Sequence, residues 1–157
     1  MMEKSQLAEE LVKELSARSK TLAVAESCTG GLLADAVVRI PGASKVFWGG
    51  FVTYTADAKA VMLGVDTVDR FGAASRETAV DMAKKAIERS AAHVSVAITG
   101  LAGPDGDGTD TLVGTVWIAT AYKGEAAAEV FHFSGSRSEI RESATCKALE
   151  KAIAVLK

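Results

Sequence analysis

Leu7, Leu11 and Leu15 recur every four residues, with Ala8 and Val12 beside them. A helix of 3.6 residues per turn gathers such positions into one stripe, so residues 3–18 are predicted to form an amphipathic helix. The period then changes. Thr21-Leu22-Ala23-Val24-Ala25 is an apolar run of strand length. Helical spacing returns over about 29–39, where Leu32, Leu33, Ala36, Val37 and Ile40 share one side and Pro41-Gly42 ends the helix.

Val46 to Tyr54 is rich in β-formers but interrupted by Gly49-Gly50, which predicts a strand with a bulge or a close backbone approach. A short helix over 57–63 ends near Gly64. Ser75 is suited to cap a helix with Ala79, Met82, Ala83, Ala86 and Ile87 on its apolar face. Val94 to Ile98 reads as a buried strand entering a glycine-rich loop at 100–110. Runs 114–122 and 125–133 flank Lys123-Gly124 and predict a hairpin. A last helix over 137–156 carries Ile140, Ala144, Ala148, Ala152 and Val155, widened by Leu149, Ile153 and Leu156. The order α-β-α-β-α-α-β-β-β-α predicts one α/β domain over 1–157, with helices on a mixed sheet, since a hairpin is incompatible with a purely parallel one.

Composition narrows the function. A chain of 157 residues with 48% hydrophobic and 24% charged residues is long enough for one full core. The net charge of −2 and the absence of a basic stripe argue against nucleic-acid binding. They leave room for a small anion held by backbone N–H groups. The N-terminus lacks an apolar signal core, and the apolar runs are too short to cross a bilayer, so a cytoplasmic protein with no membrane partner is expected. Cys28 and Cys146 imply no disulfide framework. With His93 and His132 they show no ligand spacing, so no metal site is expected.

The chemistry is concentrated at strand ends, where open α/β sheets place ligands. Three clusters stand out: Ser27-Cys28-Thr29-Gly30-Gly31, then Tyr54-Thr55 with Lys59, then Thr99-Gly100 to Pro104. The first lies between a strand and a helix, so its N–H groups form a candidate phosphate or oxyanion cradle. Ser27 reads either as a helix cap or as a hydroxyl nucleophile. A nucleophile needs a base, and neither histidine lies in a cluster. Lys59 is the candidate, provided burial or a nearby cation lowers its pKa from about 10.4; its plain reading is a solvated lysine. Cys28 is a rival nucleophile at the same helix end or a small buried hydrophobe. Gly30 and Gly31 either admit a phosphate or simply make the turn. Arg137 and Arg141, one helical turn apart, suit bidentate phosphate recognition or face solvent. The glycine-rich loop matches neither the P-loop nor the dinucleotide fingerprint, which argues against those two enzyme classes.

Together these segments resemble the CinA C-terminal domain family, the nicotinamide-nucleotide amidases. The likeness rests on Glu26 to Gly31, Gly49 to Thr55 with Lys59, Ala97 to Pro104, Val113 to Ala119, and Arg137 and Arg141. It spans nearly the whole chain. The resemblance implies a three-layer α/β/α sandwich with a mixed sheet, in the stand-alone form, acting as a homo-oligomer. It implies hydrolysis of nicotinamide mononucleotide to nicotinate mononucleotide and ammonia, with no cofactor. Ser27 falls at the family's nucleophile, Lys59 at its base and Tyr54 at a supporting hydroxyl. Thr99 and Arg141 fall at further active-site and substrate-binding positions. Two other readings remain: a nucleotide-binding regulatory module without turnover, and an amidase for another small amide. One departure is the acidic loop Asp105-Gly106-Asp107-Gly108, where relatives often carry a Gly-Gly pair.

Overall fold

The computed structural model describes residues 2–157. The first apolar stripe forms helix α1 (Lys4–Ala17), burying Leu7, Leu11 and Leu15 and starting in a capping box between Glu3 and Gln6. Strand β1 (Leu22–Glu26) follows, buried at every position. Helix α2 (Leu32–Val38) begins at the first of its apolar positions, three residues after the predicted start at about 29. Gly30 and Gly31, at φ +58° and +110°, hold the chain in a left-handed turn before it.

Strand β2 (Phe47–Val52) shows both features expected of its glycine pair. Its register with β1 skips Trp48, which makes a bulge, and a Cβ on Gly50 would lie 2.7 Å from Val24 Cγ2. One helical turn, α3 (Ala56–Ala58), runs directly into a π-turn, Lys59–Leu63. The four-residue helix α4 (Val68–Phe71) is too short to leave a period in the sequence. Ser75 caps α5 (Arg76–Ser90) as expected, its Oγ accepting from the Thr78 N–H at 3.2 Å. Strands β3 (Val94–Gly100), β4 (Thr115–Tyr122) and β5 (Glu125–His132) complete the sheet. Lys123 and Gly124 both have positive φ, 53° and 79°, as a two-residue hairpin requires. Helix α6 (Arg137–Leu156) closes the chain.

The five strands lie in the order β2-β1-β3-β4-β5, parallel across β2-β1-β3 and antiparallel across β3-β4-β5. Helices α1, α2 and α6 pack on one face against Leu22, Val24, Val96, Ile98 and Ile118. Helix α5 covers the other, where Ala25, Ala97, Ala119 and Ala121 let it approach closely. The result is the three-layer sandwich that the resemblance implies. From β1 the chain moves outward through α2 to β2, then returns through α5 to β3 on the far side of β1. The strand order therefore reverses between β1 and β3, and a crevice opens beyond their carboxyl ends.

Candidate active site

Ser27 is the first residue beyond β1 and its N–H donates to Ile98 O of β3, so it sits at that crevice. The turn it opens is not an empty cradle. The fully buried Glu26 reaches back under it and accepts from Thr29 Oγ1 (2.6 Å) and the N–H groups of Gly31 (3.2 Å), Leu33 (2.9 Å) and Ala34 (3.0 Å). Gly30 N–H donates to Ser27 O and Leu32 N–H to Thr29 O. This corrects the expectation of an open anion site at the amino end of α2: the protein's own carboxylate fills it. The N–H groups of Cys28 and Thr29 stand outside this network.

Lys59 is brought in by the π-turn, a rare local form that recurs at functional sites. Its side chain is 1% exposed, and Nζ lies 2.9 Å from Ser27 Oγ and 2.9 Å from Thr53 O. No carboxylate pairs with it among the described residues. Burial disfavours the ammonium and lowers the pKa from 10.5 to about 8. The solvated-lysine reading therefore does not hold. Ser27 Oγ accepts from Lys59 and donates to Tyr54 O at 3.3 Å. Burial has the opposite effect on Cys28, raising its thiol to about 11 despite the nearby cations Lys59 and Arg141. Cys28 is thus a protonated thiol at neutral pH, a poor nucleophile.

Of the other residues singled out, Ser27, Cys28, Tyr54, Gly100 and Arg137 line one cavity of about 230 Å³ together with Asp105. Arg137 donates to Gly103 O and to the Tyr54 hydroxyl (2.9 Å), spanning the cavity from the start of α6. Arg141 points the other way. Its Nε donates to Cys28 O and its Nη2 to Thr29 O, each at 2.9 Å, so it braces the turn. Thr99 is buried and donates to Ala73 O at 2.8 Å, tying the loop before α5 to the end of β3. Gly100 is needed by the sheet, since a Cβ there would lie 2.5 Å from Thr115 O. Gly30 packs near Arg141, while a Cβ on Gly31 would meet open space.

Glu26, Thr53 and Ala73 take part although nothing in their own spacing pointed to them. A trace of Glu26 is visible as an acidic residue closing an apolar strand. A hollow of about 240 Å³ near Lys84, His93 and Tyr122 lies at the opposite end of the sheet, away from Ser27. Among the described residues, no three His, Cys, Asp or Glu side chains are grouped to hold a metal, and no helix is long and apolar enough to cross a membrane.

Comparison with known proteins matches residues 4–156 to the model of a family described as the CinA C-terminal domain. The nicotinamide-nucleotide amidohydrolase PncC of Escherichia coli K12 is 44% identical over 148 residues, covering 92% of this chain and 90% of that protein. A CinA-like protein of Thermotoga maritima is also 44% identical, over 90% of this chain and 35% of its own length. Among solved structures, the competence/damage inducible protein CihA from Agrobacterium tumefaciens superposes with a TM-score of 0.95 at 41% identity, covering 100% of this chain and 98% of that one. A CinA superfamily protein from Escherichia coli gives 0.92 at 39% identity, covering 98% and 89%.

Proposed function

Because the chain belongs to the CinA C-terminal domain family, we propose that it is a nicotinamide-nucleotide amidohydrolase acting through Ser27 and Lys59. The substrate is nicotinamide mononucleotide, and the products are nicotinate mononucleotide and ammonia. One observation carries the mechanism: a serine hydroxyl lies 2.9 Å from a buried lysine amine whose pKa has fallen to about 8. A base poised near the operating pH combines adequate neutral population with proton affinity.

Neutral Lys59 takes the Ser27 hydroxyl proton as Oγ attacks the carboxamide carbon. The C–O bond forms, and the carbonyl electrons move to oxygen. The Cys28 N–H, which Glu26 leaves free beside Ser27, or an N–H of the Gly100–Gly103 loop across the cavity would stabilise that oxyanion, one such donor being worth about 3 kcal/mol. The Lys59 ammonium then protonates the amide nitrogen, and ammonia leaves as the C–N bond breaks. Water attacks the Ser27 ester, Lys59 accepts its proton, and Oγ leaves protonated with nicotinate mononucleotide released. Tyr54 touches the site twice: its carbonyl accepts the Ser27 proton while Lys59 is charged, that proton turning to Nζ once Lys59 is neutral, and its own hydroxyl accepts from Arg137. Arg137 is the guanidinium that faces the cavity, which favours it over Arg141 for the substrate phosphate.

Exposed Trp48 and Val52 on edge strand β2 support the homo-oligomer implied by the resemblance, which sedimentation tests. The reaction is tested by ammonia release from nicotinamide mononucleotide, its riboside and free nicotinamide. The mononucleotide should be strongly preferred, and Ser27→Ala should be inactive. Binding without turnover by the wild type would instead identify a regulatory module. Equal use of all three amides would indicate a different small-amide substrate.

A further inference from the structure

We propose that Glu26 is a positioning residue for this reaction, an internal anion that fixes the Ser27 turn and closes the amino end of α2 to external anions. The inference rests on Ser27 being the nucleophile. Glu26 is fully buried, and among the described residues no cation contacts it. A carboxylate removed from water needs its lone pairs satisfied. Here Oε1 accepts from Thr29 Oγ1, Gly31 N–H and Leu33 N–H, and Oε2 accepts from Ala34 N–H. A surface serine or aspartate at the first position would cap a seven-residue helix more simply. Reaching in from the preceding strand does something a surface cap does not: it ties the helix start to the residue beside Ser27.

The turn is consequently held by both kinds of group. Glu26 takes its donors, and Arg141 takes its acceptors, the carbonyls of Cys28 and Thr29. Ser27 is further anchored by its N–H to Ile98 O. Its Oγ is thereby kept at 2.9 Å from Lys59 Nζ, and small displacements of a nucleophile are costly in rate. The same bonds decide which N–H groups remain for an oxyanion. They take those of Gly31, Leu33 and Ala34 and leave those of Cys28 and Thr29. A substrate phosphate has no place at α2 and must bind elsewhere along the cavity.

The test compares wild type with Glu26→Gln and Thr29→Val, each confirmed as folded by cooperative melting. Glutamine keeps an acceptor for the three Oε1 donors but sets an NH2 group against Ala34 N–H. Valine removes the one hydroxyl donor. The expected result is a fall in kcat of about tenfold or more for Glu26→Gln, at nearly constant KM for nicotinamide mononucleotide. Thr29→Val should lower kcat less, and Thr29→Ser should restore it. Wild-type kcat per folded molecule in Glu26→Gln overturns the proposal, whatever Thr29→Val shows. So does a rise in KM alone, which would make Glu26 part of substrate binding. Ser27→Ala, assayed alongside, separates the two levels: an active Ser27→Ala removes the underlying reading, whereas an inactive one beside a fully active Glu26→Gln removes only this inference.

Discussion

The two walls of the cavity are built in opposite ways. On the β1 side, Ser27, Cys28, Thr29 and Lys59 are all buried, and the turn is cross-bonded by Glu26, Arg141 and Lys59. On the β3 side, residues 104–110 are exposed throughout, and their side-chain bonds are local ones between Asp107, Thr109 and Thr111. That loop is tied down at its base, where Leu101 bonds Thr115 and Gly114 and where Arg137 reaches Gly103. A proton transfer and an attack at carbon demand fixed distances, whereas a phosphate can be gripped by an arginine with freedom to adjust. The rigid wall therefore suits bond making and the open wall suits recognition. Substitutions on the first should alter kcat, and on the second KM.

The sharpest break is Lys59→Met. Loss of the base should reduce kcat by about a thousandfold. It should also stabilise the protein. A fall from 10.5 to about 8 means that holding the charged form buried costs about 3 kcal/mol, partly offset by the lost bonds to Thr53 O and Ser27 Oγ, so a net gain of about 2 kcal/mol is expected. Because the folded pKa lies below the unfolded one, that cost is present in full below about pH 8 and disappears as pH rises towards 10.5. Denaturant midpoints of the two proteins should accordingly converge at high pH. A destabilised Lys59→Met would contradict the desolvated amine.

Arg137→Ala comes next. Removing a charge-assisted contact to phosphate should raise KM for the mononucleotide by about 10- to 100-fold with kcat little changed. The preference over the riboside should shrink in proportion. A loss of kcat instead would erase the distinction between the walls. The pH dependence is a smaller handle on the rigid wall. Only neutral Lys59 can act, so kcat/KM should climb about tenfold per pH unit below about 8 and level off above it. Smallest of all is Cys28→Ala. A thiol raised to about 11 contributes no thiolate, so steady-state rates should change by less than about threefold.

How far the sequence carries this picture depends on the reach of each interaction. The α1 stripe, the Ser75 cap and the Lys123-Gly124 turn are set within four residues, and their chemistry is visible in order along the chain. The glycine pair of β2 announced an irregularity whose causes, a skipped Trp48 and the Val24 side chain, lie in the neighbouring strand. Serine and lysine were legible as candidates, but their meeting across 32 positions depends on strand order and on a π-turn with no sequence signature. Arg141 looked like a phosphate ligand because a guanidinium suits both phosphate and carbonyl groups. Its contacts with the carbonyls of Cys28 and Thr29, more than a hundred positions away, are what favour Arg137 for the phosphate. The α2 terminus is the instructive case. Its position between strand and helix suggests a bound ligand anion, whereas the group found there is the side chain of Glu26, one residue upstream of the serine.

The central claim, attack by Ser27 Oγ, is tested most directly by trapping the covalent intermediate. Turnover of nicotinamide mononucleotide quenched in acid, followed by proteolysis and fragment mass spectrometry, should find the nicotinate-mononucleotide acyl group esterified to Ser27. Finding it on the Cys28 sulfur, or finding no acylated peptide although the first turnover outpaces the steady state, would contradict the account.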